Sequence, residues 1–316
     1  MNEGRRTREA ARGTARSLSW PGDSPLQDRV GAVIVNYNAG DYLSACVASL
    51  RSEGISAVVV VDNGSSDGSS SVLAAADAGA RIIVPGRNLG YGRGVNRGLA
   101  ELPGSELVLV GNPDIVVRPG AVAALVAALD GDPAIGLVGP RIEEPDGTLY
   151  PSARTFPNLG DSVGHGFVGL VAPDNRWSRR YKMADWDHAS EREVDWVSGA
   201  CFLARRAALD AIGGFDTRYF MFSEDVDLCW RAGRAGWRVA YEPAATVTHV
   251  KGVSVEHHPY AMIVAHHRSL LRFAARSAEG RSRALLPVVA AGLSVRTGLA
   301  CLGRWGAGRW GAGRSD

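Results

Sequence analysis

The chain has 316 residues, 46% of them hydrophobic, with 35 Lys and Arg set against 33 Asp and Glu. That balance excludes a wholly disordered chain and leaves length for one large core or two modest ones. The net charge of +2 is unevenly placed: residues 1–20 carry +3 and residues 276–316 carry +5, so the middle stands at −6, which argues against a nucleic-acid-binding core.

Residues 1–28 are polar and rich in Arg, Ser and Gly, and read as a flexible tail; no apolar run follows the arginines, so no signal peptide is expected. Then "VGAVIVNY" (30–37), "AVVVVD" (57–62), "ARIIVP" (80–85), "ELVLVGN" (106–112) and "IGLVGP" (135–140) recur, separated by Ala/Leu-rich helical stretches. Runs that are apolar throughout belong to strands covered on both faces, which predicts an α/β fold with a parallel sheet flanked by helices. Past Pro140 the pattern predicts a hairpin about Pro145-Asp146-Gly147, and the aperiodic stretch 154–194 reads as a long functional loop. Regular structure resumes at "DWVSGACFLARRAAL", runs through "WRVAYEP" and ends in a helix over 258–277.

The C-terminal region 276–316 is basic and partly apolar. "LLPVVAAGLSVRTGLACL" (285–302) contains Pro287 and Arg296, so no run of about 20 uncharged apolar residues exists and a spanning helix is not expected. The segment suits either a lipid interface or a helix docked on the body, and its arginines suit anionic headgroups. The repeat "GRWGAGRWGAGR" (303–314) reads as flexible, with Trp305 and Trp310 suited to a membrane interface. Cys46, Cys201, Cys229 and Cys301 show no C-x-x-C spacing, which points away from disulfides and structural zinc and towards a reducing cytoplasm.

In an open parallel sheet, ligands bind beyond the carboxyl ends of the strands. There the chain places Asn36-Tyr37-Asn38, Asp62-Asn63-Gly64-Ser65, Arg87-Asn88 and Asn112-Pro113-Asp114. Polar turn residues occur at such positions in any α/β protein, and that accounts for Asn38 and Gly64; an Asp ending two apolar strands is less ordinary. Asp62 can accept from a base or ribose, and Asp114 suits a hard divalent cation, Mg²⁺ or Mn²⁺, neutralising a diphosphate. "RNLGYGRGVNRG" (87–98) is not a dinucleotide fingerprint, since Val95 and Arg97 stand where Gly or Ala is required, and no P-loop is present.

"GFDTRYFMFSEDVDLCWRAGRAGW" (214–237) sets Ser223 as an expected N-cap, with Glu224 and Asp225 in the first helical turn, where the macrodipole favours ionised carboxylates. Such a carboxylate can take a proton from a sugar hydroxyl, and Tyr219, Phe220, Phe222 and Trp230 are expected to wall the sugar ring.

"VIVNYNAGDYLSACVASL", "VVVDNGSSDGS", "NLGYGRGVNRGL", "GNPDIVV", "VSGACFLARRAALDAIGGFDTRYFMFSEDVDLCWRAGRAGW" and "ATVTHVKGVSV", in this order, resemble the motifs of glycosyltransferase family 2 across about residues 30–272. More narrowly, they resemble its rhamnosyltransferase branch, in particular the actinobacterial members that act on N-acetylglucosaminyl-diphospho-decaprenol. The resemblance implies a GT-A fold, Rossmann-like with a mostly parallel sheet and a C-terminal helical extension, and inverting transfer from a nucleotide-diphosphate sugar. It implies a catalytic domain over 29–275, whose 29–140 half binds the nucleotide-sugar and whose 141–275 half carries acceptor and catalytic groups. Carried over, Asp225 is the base, and Glu224, Asp227 and Trp230 are catalytic or acceptor-binding. Asn36, Tyr37, Asn38, Asp62, Asn63, Asn88, Gly90, Asn96, Asn112, Asp114 and Gly199 bind the nucleotide-sugar, and Asp114 with His249 holds the metal. The motif Asn112-Pro113-Asp114 departs from Asp-x-Asp and offers a single Asp, a form shared within the branch.

The implied partners are a dTDP-L-rhamnose donor, with UDP-sugars next, a lipid-linked sugar acceptor and an anionic membrane surface at the inner face of the cell membrane; a homodimer stays open, and no nucleic acid is expected. A non-catalytic nucleotide-sugar-binding protein and a nucleotidyltransferase are the competing classes. The second should show a Gly-rich, basic phosphate loop after its first strand, where this chain has Asn36-Tyr37-Asn38-Ala39-Gly40. His257-His258 and His266-His267 read as surface or acceptor-side residues.

Overall fold

The structure, a computed structural model, describes residues 26–157, 172, 175–250 and 259–311. The predicted tail up to residue 25, most of the first half of the 154–194 loop, His257 and His258, and the side chains of Trp305 and Trp310 lie outside the described residues. The tail boundary moves inward: Leu26–Arg29 form a helical turn, α1, and Arg29 is clamped by Glu106 at 2.9 Å and Asp130 at 2.7 Å.

The first half alternates as its pattern predicts. β1 (Val30–Asn36), β2 (Ala57–Asp62), β3 (Arg81–Ile83) and β4 (Leu107–Gly111) lie in the order β3-β2-β1-β4, all parallel. Between them run α2 (Tyr42–Ser52), α3 (Ser69–Ala76) and α4 (Tyr91–Leu99). β1 is buried at every residue because both faces are covered: Ala32 and Ile34 pack with Leu43, Val47 and Leu50 of α2, and Val33 and Val35 pack with Val95 and Leu99 of α4. The glycines of "GYGRGVNRG" bring α4 close to β1, since a Cβ on Gly98 would stand 2.4 Å from Val33 Cγ1 and one on Gly94 2.9 Å from Val35 Cγ1.

β5 (Ile115–Val117), α5 (Ala121–Gly131) and β6 (Ile135–Glu143) follow, and β6 turns back through Gly147 into β7 (Leu149–Tyr150), the predicted hairpin. After β8 (Ala153–Arg154) come α6 (Arg176–Tyr181), β9 (Arg192–Glu193), β10 (Trp196–Val197), β11 (Cys201–Arg205), α7 (Arg206–Ala211), α8 (Glu224–Arg234) and β12 (Arg238–His249). The sheet continues β4-β11-β6-β12-β5. β11 lies antiparallel to both β4 and β6, so the sheet is mostly parallel rather than wholly so. The apolar run "CFLAR" is buried on both faces like its parallel neighbours, and burial alone carries no strand direction.

α9 (Pro259–Ser277) packs on α8, and α10 (Leu286–Gly311) packs back on α9. The sequence expectation that no helix could span a membrane is corrected here. The helical stretch Gly280–Arg304 has 25 residues, and its most apolar window, with a mean hydropathy of 1.7 and none of it buried, is long and apolar enough to cross one. A strict count of uncharged residues misses it because a long Arg stem such as that of Arg296 carries its charge away from its apolar neighbours.

Candidate active site

A cavity of about 640 Å³ opens beyond the carboxyl ends of β1 and β4. Parallel pairing sets Asn36 opposite Asp62, and β11, antiparallel, begins beside the end of β4, so that Asn112 N–H reaches Ala200 O at 2.9 Å. The turn before β11 thereby stands next to the one that ends in Asp114. Of the residues singled out by sequence, Tyr37, Asn63, Asn88, Gly90, Asn112, Asp114, Gly199, Glu224, Asp225 and His249 line this cavity.

The rest do not. Asn36 is fully buried and donates to the hydroxyls of Ser65, Ser69 and Ser70. Asp62 spends its carboxylate on the turn after β2, accepting from Gly64 N at 3.1 Å, Ser65 N at 2.7 Å and the Ser70 hydroxyl. Asn38, at φ 52°, accepts from Ser66 N. Asn96 ties α4 to the chain ahead of α8 through Phe215 N and O at 2.9 and 2.8 Å. Asp227 is wholly buried, bound to Arg231 at 2.6 Å and Arg276 at 3.0 Å, and so locks α9 onto α8. Trp230 packs edge-on against Phe273, and Tyr219 is 1% exposed, so only Phe220 and Phe222 of the expected aromatic wall reach the cavity.

Two acids at the head of α8 face the site. The expected Ser223 cap is absent: Ser223 sits at φ 60° and its hydroxyl caps nothing. Phe222, at φ 68°, shares this left-handed conformation, and the pair turns the chain so that Glu224 and Asp225 enter the cavity together. The expectation that the helix terminus keeps both carboxyls at low pKa is also corrected, because burial outweighs the dipole. It pushes Glu224 up to about 8, with the Asp225 charge adding to the effect, and it raises Asp225 too.

The two differ in hydrogen bonding. Asp225 accepts from Gly199 N at 2.8 Å and from Val226 N at 2.9 Å, whereas Glu224 Oε2 has no partner. Donors to the charged form favour ionisation, so Asp225 loses its proton before Glu224 does. Gly199 is held in turn by Tyr91, whose hydroxyl donates to Gly199 O at 2.5 Å.

At the other end, His249 Nε2 lies 3.2 Å from Asp114 Oδ1 and 3.3 Å from Asn112 Nδ2. Asp114 Oδ1 and His249 Nδ1 are buried without a hydrogen bond, an arrangement that costs stability unless a ligand satisfies it. A carboxylate and an imidazole with unused lone pairs fit a divalent cation. Among the described residues no third His, Cys, Asp or Glu joins them, so a cation held there would need its remaining ligands from phosphate oxygens and water.

Sequence reasoning missed the β8 side of the cavity: Tyr150, Arg154, Tyr181 and Trp196 all line it. Only the aperiodic stretch from 154 onward pointed there. The inner face of α9, with Met262, His266, Leu270 and Phe273, completes the wall, and His266 meets Phe222 edge-on. His267 instead faces inward, with Nδ1 2.8 Å from Ile263 O.

The sequence matches the family model described as glycosyltransferase like family 2 over residues 27–261. It is 40% identical over 273 residues, 83% of this chain and 89% of the relative, to the N-acetylglucosaminyl-diphospho-decaprenol L-rhamnosyltransferase of Mycobacterium tuberculosis. It is also 35% identical over 98 residues, 31% of this chain and 34% of the relative, to rhamnosyltransferase WbbL of Escherichia coli. Among solved structures, the mannosyltransferase PcManGT of Pyrobaculum calidifontis with GDP-Man and Mn²⁺ superposes with a TM-score of 0.55 at 16% identity, covering 87% of this chain and 75% of that one. GalNAc-T7 with UDP, GalNAc and Mn²⁺ superposes at 0.53 and 15% identity, covering 70% of this chain and 43% of that one. The chain belongs to glycosyltransferase family 2 and is a glycosyltransferase of the GT-A fold.

Proposed function

We propose that this glycosyltransferase transfers L-rhamnose with inversion from dTDP-L-rhamnose to N-acetylglucosamine carried on a polyprenyl diphosphate. The transferred sugar and the acceptor follow the 40% identical mycobacterial relative, and dTDP as the carrier of the sugar follows the resemblance to the rhamnosyltransferase branch. The observation that carries the chemistry is the pairing, across one cavity, of an acid held by two backbone N–H groups, Asp225, with the Asp114 and His249 pair.

Asp225 takes the proton of the acceptor hydroxyl as that oxygen attacks the anomeric carbon and the bond to the nucleoside diphosphate breaks. Base catalysis of this kind contributes about 10²- to 10⁴-fold. Glu224, protonated until about pH 8, adds no second negative charge beside the attacking oxygen. Tyr37, Asn63 and Asn88 surround the nucleotide, and Phe220 and Phe222 exclude water from the sugar. Asp114 and His249 are the residues that would hold a divalent cation, which when bound would neutralise charge on the diphosphate.

We read α10 as the element that holds the enzyme at the membrane, where its acceptor resides. Val288, Val295, Leu299 and Leu302 are more than half exposed, and Arg281, Arg283, Arg296 and Arg304 accompany them, which is the composition of an element that binds an anionic lipid surface.

The test is transfer from a panel of nucleotide sugars to a short-chain polyprenyl-diphosphate N-acetylglucosamine, read by mass and by the anomeric configuration of the product. Transfer from dTDP-L-rhamnose with inversion supports the reading, and transfer only from UDP-sugars overturns the donor. Truncation after residue 280 should abolish sedimentation with anionic vesicles; unchanged sedimentation overturns the membrane role of α10.

A further inference from the structure

The cavity is acidic where a diphosphate has to enter. Asp114, Glu224 and Asp225 all line it, and among its described lining residues Arg154 is the one Arg or Lys side chain. Arg154 belongs to β8, and neutral groups hold it: its Nε donates to Pro151 O at 2.8 Å and its Nη2 to the Tyr150 hydroxyl at 3.1 Å. Three rings surround the guanidinium, with centroids 5.4 Å away for Tyr150, 5.6 Å for Tyr181 and 5.2 Å for Trp196.

Among the described residues no carboxylate comes within ion-pair distance of it. A guanidinium cannot shed its proton, and a desolvated charge is ordinarily matched by an opposite one. An aromatic box holds the cation in place but supplies no countercharge. Tyr150, which receives the Nη2 hydrogen bond, also meets the His249 ring at 6.4 Å, and the Asp225 charge favours the charged guanidinium. Arg154 therefore shares the cavity with the Asp114 and His249 pair and with the base.

We propose that Arg154 is a substrate-binding residue whose guanidinium pairs with a diphosphate, pre-positioned by the Tyr150, Tyr181 and Trp196 box. The proposal rests on the transferase reading above and deepens it: with one Asp rather than two at the Asn112-Pro113-Asp114 turn, part of the diphosphate charge is met by this arginine. Planar, bidentate pairing with phosphate oxygens is the property that distinguishes Arg from Lys here. The donor and the lipid-linked acceptor each carry such a group.

The experiment measures, by calorimetry on the full chain, the binding of dTDP, thymidine, farnesyl diphosphate and farnesol to wild type, Arg154→Met and Arg154→Lys. The expected result is a loss of tenfold or more for one diphosphate probe in Arg154→Met, the scale of a charged hydrogen-bonded pair, with thymidine and farnesol unchanged and partial recovery in Arg154→Lys. A loss confined to dTDP assigns Arg154 to the donor, and one confined to farnesyl diphosphate assigns it to the acceptor. Unchanged binding of both diphosphates overturns the proposal, and so does an equal loss for all four probes, which marks a structural residue. Failure of the wild-type chain to bind either diphosphate overturns the substrate reading itself.

Discussion

Gly90 and Phe220 meet so closely that residue 90 has no room for a side chain: Tyr91 N–H donates to Phe220 O at 2.9 Å, and a Cβ on Gly90 would stand 2.2 Å from that oxygen. This contact fastens the start of α4 to the strained turn through Phe222 and Ser223 that aims Glu224 and Asp225. Ser269 of α9 holds the same turn from the other side, its hydroxyl donating to Met221 O at 2.9 Å. Gly90→Ala should therefore lower kcat by about tenfold or more, since the residue's φ of 84° and the Phe220 oxygen both oppose it. Unfolding midpoints measured alongside kcat separate displacement of the acids from loss of fold, and an unaltered kcat defeats the expectation.

Asp225→Asn should remove about 10²- to 10⁴-fold of turnover while leaving donor affinity near wild type, because the amide keeps the shape but not the basicity. Steady-state rates with donor calorimetry check this. Glu224→Gln should cost far less, since the wild-type group carries a proton at neutral pH and its Oε2 has no partner to lose.

Acidity separates the two carboxyls further. Activity should rise with pH as Asp225 ionises, and Glu224→Gln should leave that limb in place while removing a second step near pH 8. The stability effect has a definite sign. Burial raises Glu224 from 4.5 to about 8, so its contribution is fully present below pH 4.5 and is lost as pH rises through 8. Thermal melts should accordingly show Glu224→Gln gaining on wild type between pH 5 and pH 8.5; a constant gap is the contrary result.

Asp114→Ala and His249→Ala should each weaken Mn²⁺-dependent donor binding and leave metal-free binding nearly unchanged. Paired calorimetry with Mn²⁺ and with chelator reads the difference. Equal losses in both conditions would place these side chains on the sugar or nucleotide instead.

Asp227→Asn should act on stability more than on chemistry. It removes the charge that balances Arg231 and Arg276 at a site with 0% exposure, and breaking such a buried pair costs about 3–5 kcal/mol. Denaturant midpoints should fall, while the nucleotide affinity of the remaining folded protein holds.

The sequence by itself determined the strands and their coverage: the unbroken apolar runs at 30–37, 57–62 and 106–112 have to be buried on both faces, and the spacing of Asn112, Asp114 and Asp225 at element ends exposes their polar atoms to a ligand. It could not settle strand direction, because "CFLAR" looks the same running either way. Nor could it tell which polar residues spend their side chains on the protein. Asp62, Asn36, Asn96 and Asp227 have the chemistry of site residues, yet the turn after β2, the α4 anchor and the α8–α9 pair consume them.

Only the tertiary structure decided that Arg154 faces the cavity and that Asp225 rather than Glu224 receives backbone donors. These facts depend on where Gly199, Tyr150 and Trp196 arrive in space. Local composition fixes which groups are polar, but burial and the partners that meet them fix what each polar group is free to do.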